Sequence, residues 1–152
     1  MCLSISFGDF RNNKPIEKPR IHDLSEIEGL KNLEGLTTLL IKDAHIESLS
    51  GLGNLKNLRL LHLKDCQLSK IGNLKNFVNL EILNLTINNI SRIENLESII
   101  NLKYIDLCWN SVYDIEDKPI PKNLISINLA FNSITRIQDL KKYPQLRAID
   151  LS

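Results

Sequence analysis

Few residues in this 152-residue chain stand where they could make or break bonds. The histidines are His22, His45 and His62, and no serine–histidine–carboxylate arrangement or metal-spaced cluster accompanies them. Only His62 falls on what reads as a strand face, with Asn84 beside it 22 residues on. A solvated or interface histidine is the simpler reading than a general base. The cysteines, Cys2, Cys66 and Cys108, are odd in number and lack ligand-like spacing, which fits a reduced setting. Cys108, next to Trp109, has the makings of a redox-sensitive interface thiol, although a passive thiol is simpler. The stretch GLGNLKNL at Gly51 reads as a turn rather than a phosphate-cradling loop. Two glycosylation sequons, at Asn84 and Asn89, are explained by chance in an asparagine-rich chain. No catalytic residue, metal or cofactor is implied, so the chain is read as a non-enzyme.

What must the remaining residues position? Lys plus Arg number 19 against 18 Asp plus Glu, a formal net charge of +1. That balance argues against nucleic acid or an anionic membrane as the partner. The N-terminal MCLSISFGDF has no basic lead and is interrupted by Asp9, a poor signal peptide. No apolar run approaches transmembrane length. Cytoplasmic residence is the expectation, with the nucleus left open. Hydrophobic residues make up 43% of the chain and aromatics 5%, so one domain with an aliphatic core is expected.

The apolar residues carry a period. Leu36, Leu58, Leu80, Leu102, Leu124 and Leu146 follow one another at intervals of 22 residues. The segments they open are LTTLLIKDAHI, LRLLHLKDCQL, LEILNLTINNI, LKYIDLCWNSV, LISINLAFNSI and a cut-off LRAIDLS. Residues 4 and 6 of each, such as Leu83 and Leu85, alternate with outward residues as in a short strand. Stacked turns would pair these strands in parallel and bury their apolar faces only against neighbours. At position 9, Asn88, Asn110 and Asn132 could satisfy orphaned backbone groups, while Ala44 and Cys66 depart from the pattern.

This pattern resembles the leucine-rich repeat family, L-x-x-L-x-L-x-x-N-x-L. The resemblance implies an α/β solenoid: a right-handed superhelix with a parallel concave β-sheet and a convex side of 3₁₀ turns, short helices or irregular chain. Cysteine is an accepted substitute at position 9 in the family, whereas Ala44 puts the hydrogen bonding of its turn in question. Beyond position 11, apolar residues continue every third residue, as in Leu68, Ile71, Leu74 and Phe77, a spacing suited to 3₁₀-like turns. The segment ISRIENLESIINL is similar to the 22-residue class of the leucine-rich regulatory subunit of protein phosphatase 1. Bacterial internalins share the period, but their secretion signals and caps are not seen here. An earlier half-turn shows in Leu24, Ile27, Leu30 and Leu33, so residues 21–152 are read as about six repeats, the last incomplete. Residues 1–20, with FRNNKPIEKPR, read as an irregular lead or cap. Pro119 and Pro121 in the fourth repeat exclude regular helix and imply a bulge on the outer face. Ser152 falls in mid-turn, one residue past the inner Leu151, so the chain ends in a minimal cap or is a fragment.

Positions 3, 5, 7 and 8 project from the concave sheet or its rim. There Ile82, Ile87, Tyr104, Trp109 and Phe131 gather in the middle and later repeats, including the chain's one tryptophan. The first two repeats show Lys42, Asp43, Lys64 and Asp65 instead. Exposed aromatics flanked by polar groups are what interface anchors look like; the bland alternative is that apolar residues at position 8 pack over the turn. Relatives bind proteins through scattered aromatic and acidic concave residues, which extends the candidate face to Asp106 and Asp150, and His62 joins it as an interface histidine on the strand face. The expected function is a protein-binding scaffold gripping one partner on the concave face, a phosphatase regulator in its sharpest form. The alternatives are an assembly subunit of a cytoskeletal, ciliary or ribonucleoprotein particle, or a fragment of a larger leucine-rich repeat protein. A monomer is expected unless the C-terminal edge pairs, with neither nucleic acid nor membrane as partner.

Overall fold

The computed structural model describes residues 1–7, 19–49, 52–53, 55–115, 120–137 and 139–152. Among them the strands run, in chain order, β1 (Cys2–Ser6), β2 (Arg20–Asp23), β3 (Thr38–Lys42), β4 (His45–Ser48), β5 (Leu60–Lys64) and β6 (Ile82–Asn84). Then follow β7 (Tyr104–Asp106), β8 (Asp114–Ile115), β9 (Ser126–Asn128), β10 (Arg136–Ile137) and β11 (Ala148–Asp150). Seven of these form one parallel sheet in the order β1-β3-β5-β6-β7-β9-β11. Its register repeats the sequence period, with Leu39 opposite Leu61, Leu61 opposite Leu83, Leu83 opposite Ile105, and so to Ile149. The fold is the expected leucine-rich repeat solenoid.

The core follows from the strand pleat. Leu61, Leu63, Leu83, Leu85 and Leu107 are fully buried beneath the sheet, and the residues spaced by three close the far side. Leu52, Leu55, Leu58 and Leu74, Phe77, Leu80 carry the chain back through i-to-i+3 backbone bonds, Leu55 N to Leu52 O at 2.9 Å and Phe77 N to Leu74 O at 2.9 Å. Short 3₁₀ helices stand at Leu24–Glu26, Leu30–Asn32 and Leu140–Lys142, and no helix among the described residues is long and apolar enough to cross a membrane.

Two features go beyond the sequence reading. Cys2–Ser6 falls in the stretch read as an irregular lead, yet it is a strand that extends the sheet in register with β3, Leu3 opposite Leu39. The first turn therefore spans 36 residues instead of 22, and the rest of that lead, 8–18, lies outside the described residues. Small parallel pairs, β2 with β4 and β8 with β10, also run beyond the main sheet. Glu47 clasps the first pair: its carboxylate takes His22 Nδ1 at 2.8 Å and Arg20 Nε at 2.6 Å. Those two bonds, His22's first, hold its pKa down at about 2. Pro119 and Gly51 lie outside the described residues. Pro121 is buried at a turn, and the sheet continues past it with Tyr104 opposite Ser126.

Candidate protein-binding face

The strand exits are held by a ladder of side-chain amides. The Asn88 Oδ1 accepts the backbone N–H of Cys66 and of Leu68, at 3.1 and 3.0 Å. Its Nδ2 donates to the carbonyls of Leu63 and Leu85, both at 2.8 Å. Asn110 and Asn132 repeat this one and two turns on, accepting from Ile90 and Val112. The two departures are compensated by neighbours. Where Ala44 offers no donor, the Ile41 carbonyl lies 3.6 Å from the Cys66 thiol, and the Lys42 carbonyl accepts from Phe7 N at 3.3 Å. A second ladder went unnoticed in the sequence although it keeps the same 22-residue spacing. Asn57, Asn79, Asn101 and Asn123 each donate to a backbone carbonyl in the previous turn, Glu34, Lys56, Val78 and Ile100.

Position 5 is where sequence reasoning placed Asp106 and Asp150. Both carboxylates accept from the backbone two residues on, Cys108 N and Ser152 N, each at 3.0 Å. Asn84 and Asn128 make the same Asx turn with Thr86 N and Ala130 N. The aspartates thus shape their turns and still carry charge: the Ser152 N–H holds the Asp150 carboxyl below the usual carboxylate range. Asp106 Oδ2 also accepts from Asn84 Nδ2 at 3.2 Å. Burial, then the Asp106 and Asp150 charges, raises the Cys108 thiol, the opposite of what a reactive cysteine needs.

His62 lies between Leu40 and Asn84 across the ladder. Burial, then Lys42 and Lys64, lowers its pKa, and its Nε2 is buried without a hydrogen-bond partner among the described residues. It is half-buried in the strand face, and the sheet does not bring it to the aromatic rim. Ile82 and Tyr104 are exposed and directly opposed in register.

Position 8 carries the most informative geometry. Asp43, Asp65, Ile87, Trp109 and Phe131 all have left-handed backbone, with φ between 54° and 58°. That region suits Gly, Asn or Asp and costs other L-residues roughly 1–2 kcal/mol. Aspartate fills it in the first two turns. In the next three, bulky apolar side chains fill it, one of them β-branched, and they stay exposed: Ile87 at 40%, Trp109 at 56% and Phe131 at 55%. The Trp109 and Phe131 rings stack with centroids 4.5 Å apart and planes 17° from parallel. Local backbone chemistry does not call for these residues here.

At the other end of the strands a groove lined by Asn57, Asn79, Asn101, Arg59, Glu81 and Lys103 crosses the sheet. One carboxylate there is shared by two cations: Glu81 receives Lys103 Nζ at 2.9 Å and Arg59 Nε at 2.7 Å, and these bonds lower its pKa.

No family model matches the chain, and no curated protein matches it. Among solved structures it is similar to an internalin (inlF) from Listeria monocytogenes, with 31% sequence identity and a TM-score of 0.69 over 86% of this chain. The chain spans 38% of that internalin's length. The likeness supports the leucine-rich repeat reading of the solenoid. The matched structure is an internalin, whose period the sequence shares.

Proposed function

We propose that this protein is a non-catalytic scaffold that holds a protein partner on the concave face of its solenoid. The observation that carries the reading is the exposed row Ile87, Trp109 and Phe131 in left-handed backbone. Side chains that strain the chain and do not reach the core owe their place to something outside the fold. Tyr104 and Ile82 extend the patch across the strands, with Asp106 and Asp150 beside it. Its strands are preformed, so binding orders little backbone and more of the contact energy appears as affinity.

The test is capture from cell lysate by wild type and by a Trp109→Ala, Phe131→Ala double mutant whose unchanged fold is verified by circular dichroism. A partner lost with the two rings supports the reading. Partners held equally by both proteins refute it. A phosphatase regulator is the sharpest form of the proposal and rests on the repeat class alone; adding the chain to a phosphatase 1 catalytic subunit and finding no change in turnover would remove it. A reducing compartment such as the cytoplasm suits a chain with an odd count of three cysteines.

A second reading, an assembly subunit whose apolar rim is permanently covered, draws on the same exposed Ile87, Trp109 and Phe131. Sedimentation that shows a monomer at every concentration speaks against self-assembly through that rim.

A further inference from the structure

We infer that the segment held on this face is cationic, a stretch of partner chain carrying arginine or lysine side chains; the inference rests on the concave-face reading above. Positions 3, 5, 7 and 8 from Ile82 to Ser152 contain no lysine or arginine. They do contain Asp106 and Asp150, and the Ser152 N–H favours the ionised form of the latter. Lys103 and Arg147 stand at the other end of the strands, and Lys103 is tied to Glu81.

The first half of the face is charge-balanced instead. Lys42 and Lys64 stand side by side in register, each followed by an aspartate, Asp43 and Asp65, so these four charges cancel, and the two lysines add to burial in depressing the protonation of His62. A cationic segment is therefore drawn toward the later turns, whose acids have no basic residue at these positions to offset them. What it meets there is both acidic and aromatic. An arginine guanidinium is the side chain best matched to that pairing, since it stacks on a ring face and binds a carboxylate with its edge. Asp106 and Asp150 lie on strands separated by β9, so their carboxylates are about 10 Å apart. A peptide in the polyproline II conformation, with three residues per turn and a rise of about 3.1 Å, brings basic residues three positions apart to one side at about that spacing.

The test selects a random-peptide phage library on the immobilised chain, then measures the winning peptides in solution by the fluorescence anisotropy of a dye carried on each peptide, a readout that wild type and every variant share. The comparison variants are Asp106→Asn with Asp150→Asn, and Trp109→Ala with Phe131→Ala. Asparagine keeps the Asx acceptor, as Asn84 and Asn128 do in adjacent turns, so the first pair removes charge and preserves the turn. Peptides rich in arginine or lysine, weakened by added salt and by at least about tenfold in the Asp→Asn pair, are the expected result. Neutral or acidic winners that depend on the two rings but ignore salt and the Asp→Asn pair would overturn the cationic inference and leave the binding face standing. Winners indifferent to the loss of both rings would overturn the face itself.

Discussion

Replacing Asn88 with alanine tests the claim that the amide ladder holds the strand exits together. Asn88 is the one buried polar side chain among the described residues, 7% exposed. Its amide satisfies four backbone groups, the N–H of Cys66 and Leu68 and the carbonyls of Leu63 and Leu85. Alanine cannot replace any of these bonds, but the Leu85 carbonyl keeps Asn110 Nδ2 at 2.9 Å, so three groups are orphaned, each at about 1 kcal/mol or more. The expected loss is therefore about 3 kcal/mol, a large part of the roughly 5–15 kcal/mol that holds a domain folded. Asn132→Ala should cost less, since Asn132 sits near the end of the stack and is half-exposed, so water can reach its partners. Asn88→Cys should fall between wild type and alanine, because a thiol can donate to a carbonyl, as Cys66 does, but is a poor acceptor for two N–H groups. Urea denaturation followed by circular dichroism reads all three, with an unchanged m-value as evidence that the whole array still melts together. A loss below about 1 kcal/mol for Asn88→Ala, or an Asn132→Ala loss equal to it, would refute the argument that buried backbone groups set the cost.

The same denaturation series separates core from rim. Leu107→Ala, beneath the sheet and fully buried, should cost roughly 2–5 kcal/mol, whereas Trp109→Ala should weaken partner binding by about 2 kcal/mol or more. Ile87→Asn should leave stability within about 1 kcal/mol of wild type, because relief of the left-handed backbone offsets the lost contact of a 40% exposed side chain; a loss near 3 kcal/mol would mean that position 8 serves packing. His62 has a folded-state pKa below its ordinary 6.5, so the unfolded chain binds the proton more readily and stability falls as pH drops through and below 6.5. His62→Asn, which copies the residue opposite it in the next turn, should flatten that slope in melting temperatures measured across this range.

The period made most of the solenoid legible, because a residue every 22 positions must stack on its counterpart once one turn is known. What escaped did so for local reasons. The strand Cys2–Ser6 was hidden because Leu3 aligns with position 4, leaving the chain one residue short of a leucine at position 1, and because the turn after it is longer than the rest. The ladder of Asn57, Asn79, Asn101 and Asn123 was present in the spacing, but a polar residue next to a leucine reads as surface until its carbonyl partner is placed. Asp106 and Asp150 read as interface acids from the family resemblance, while their service to the backbone N–H two residues on depends on the strand ending where it does. The left-handed backbone of Ile87, Trp109 and Phe131 could not be inferred from side chains that disfavour it.

That last failure is the strongest guide to function. Asp43 and Asp65 fill the same backbone position without strain, so the turn has a cheap solution that this chain uses twice. Three later turns decline it at roughly 1–2 kcal/mol each. The ring stack of Trp109 on Phe131 returns part of that cost, on the order of 0.5–1.5 kcal/mol, but Ile87 has no ring to stack, and all three side chains leave much of their surface in water. A fold selected for stability alone would carry aspartate or asparagine along the whole rim. On the binding reading proposed above, the aromatic half of the rim is the half that meets the partner, and the charge-balanced half with Lys42, Asp43, Lys64 and Asp65 keeps the strain-free solution.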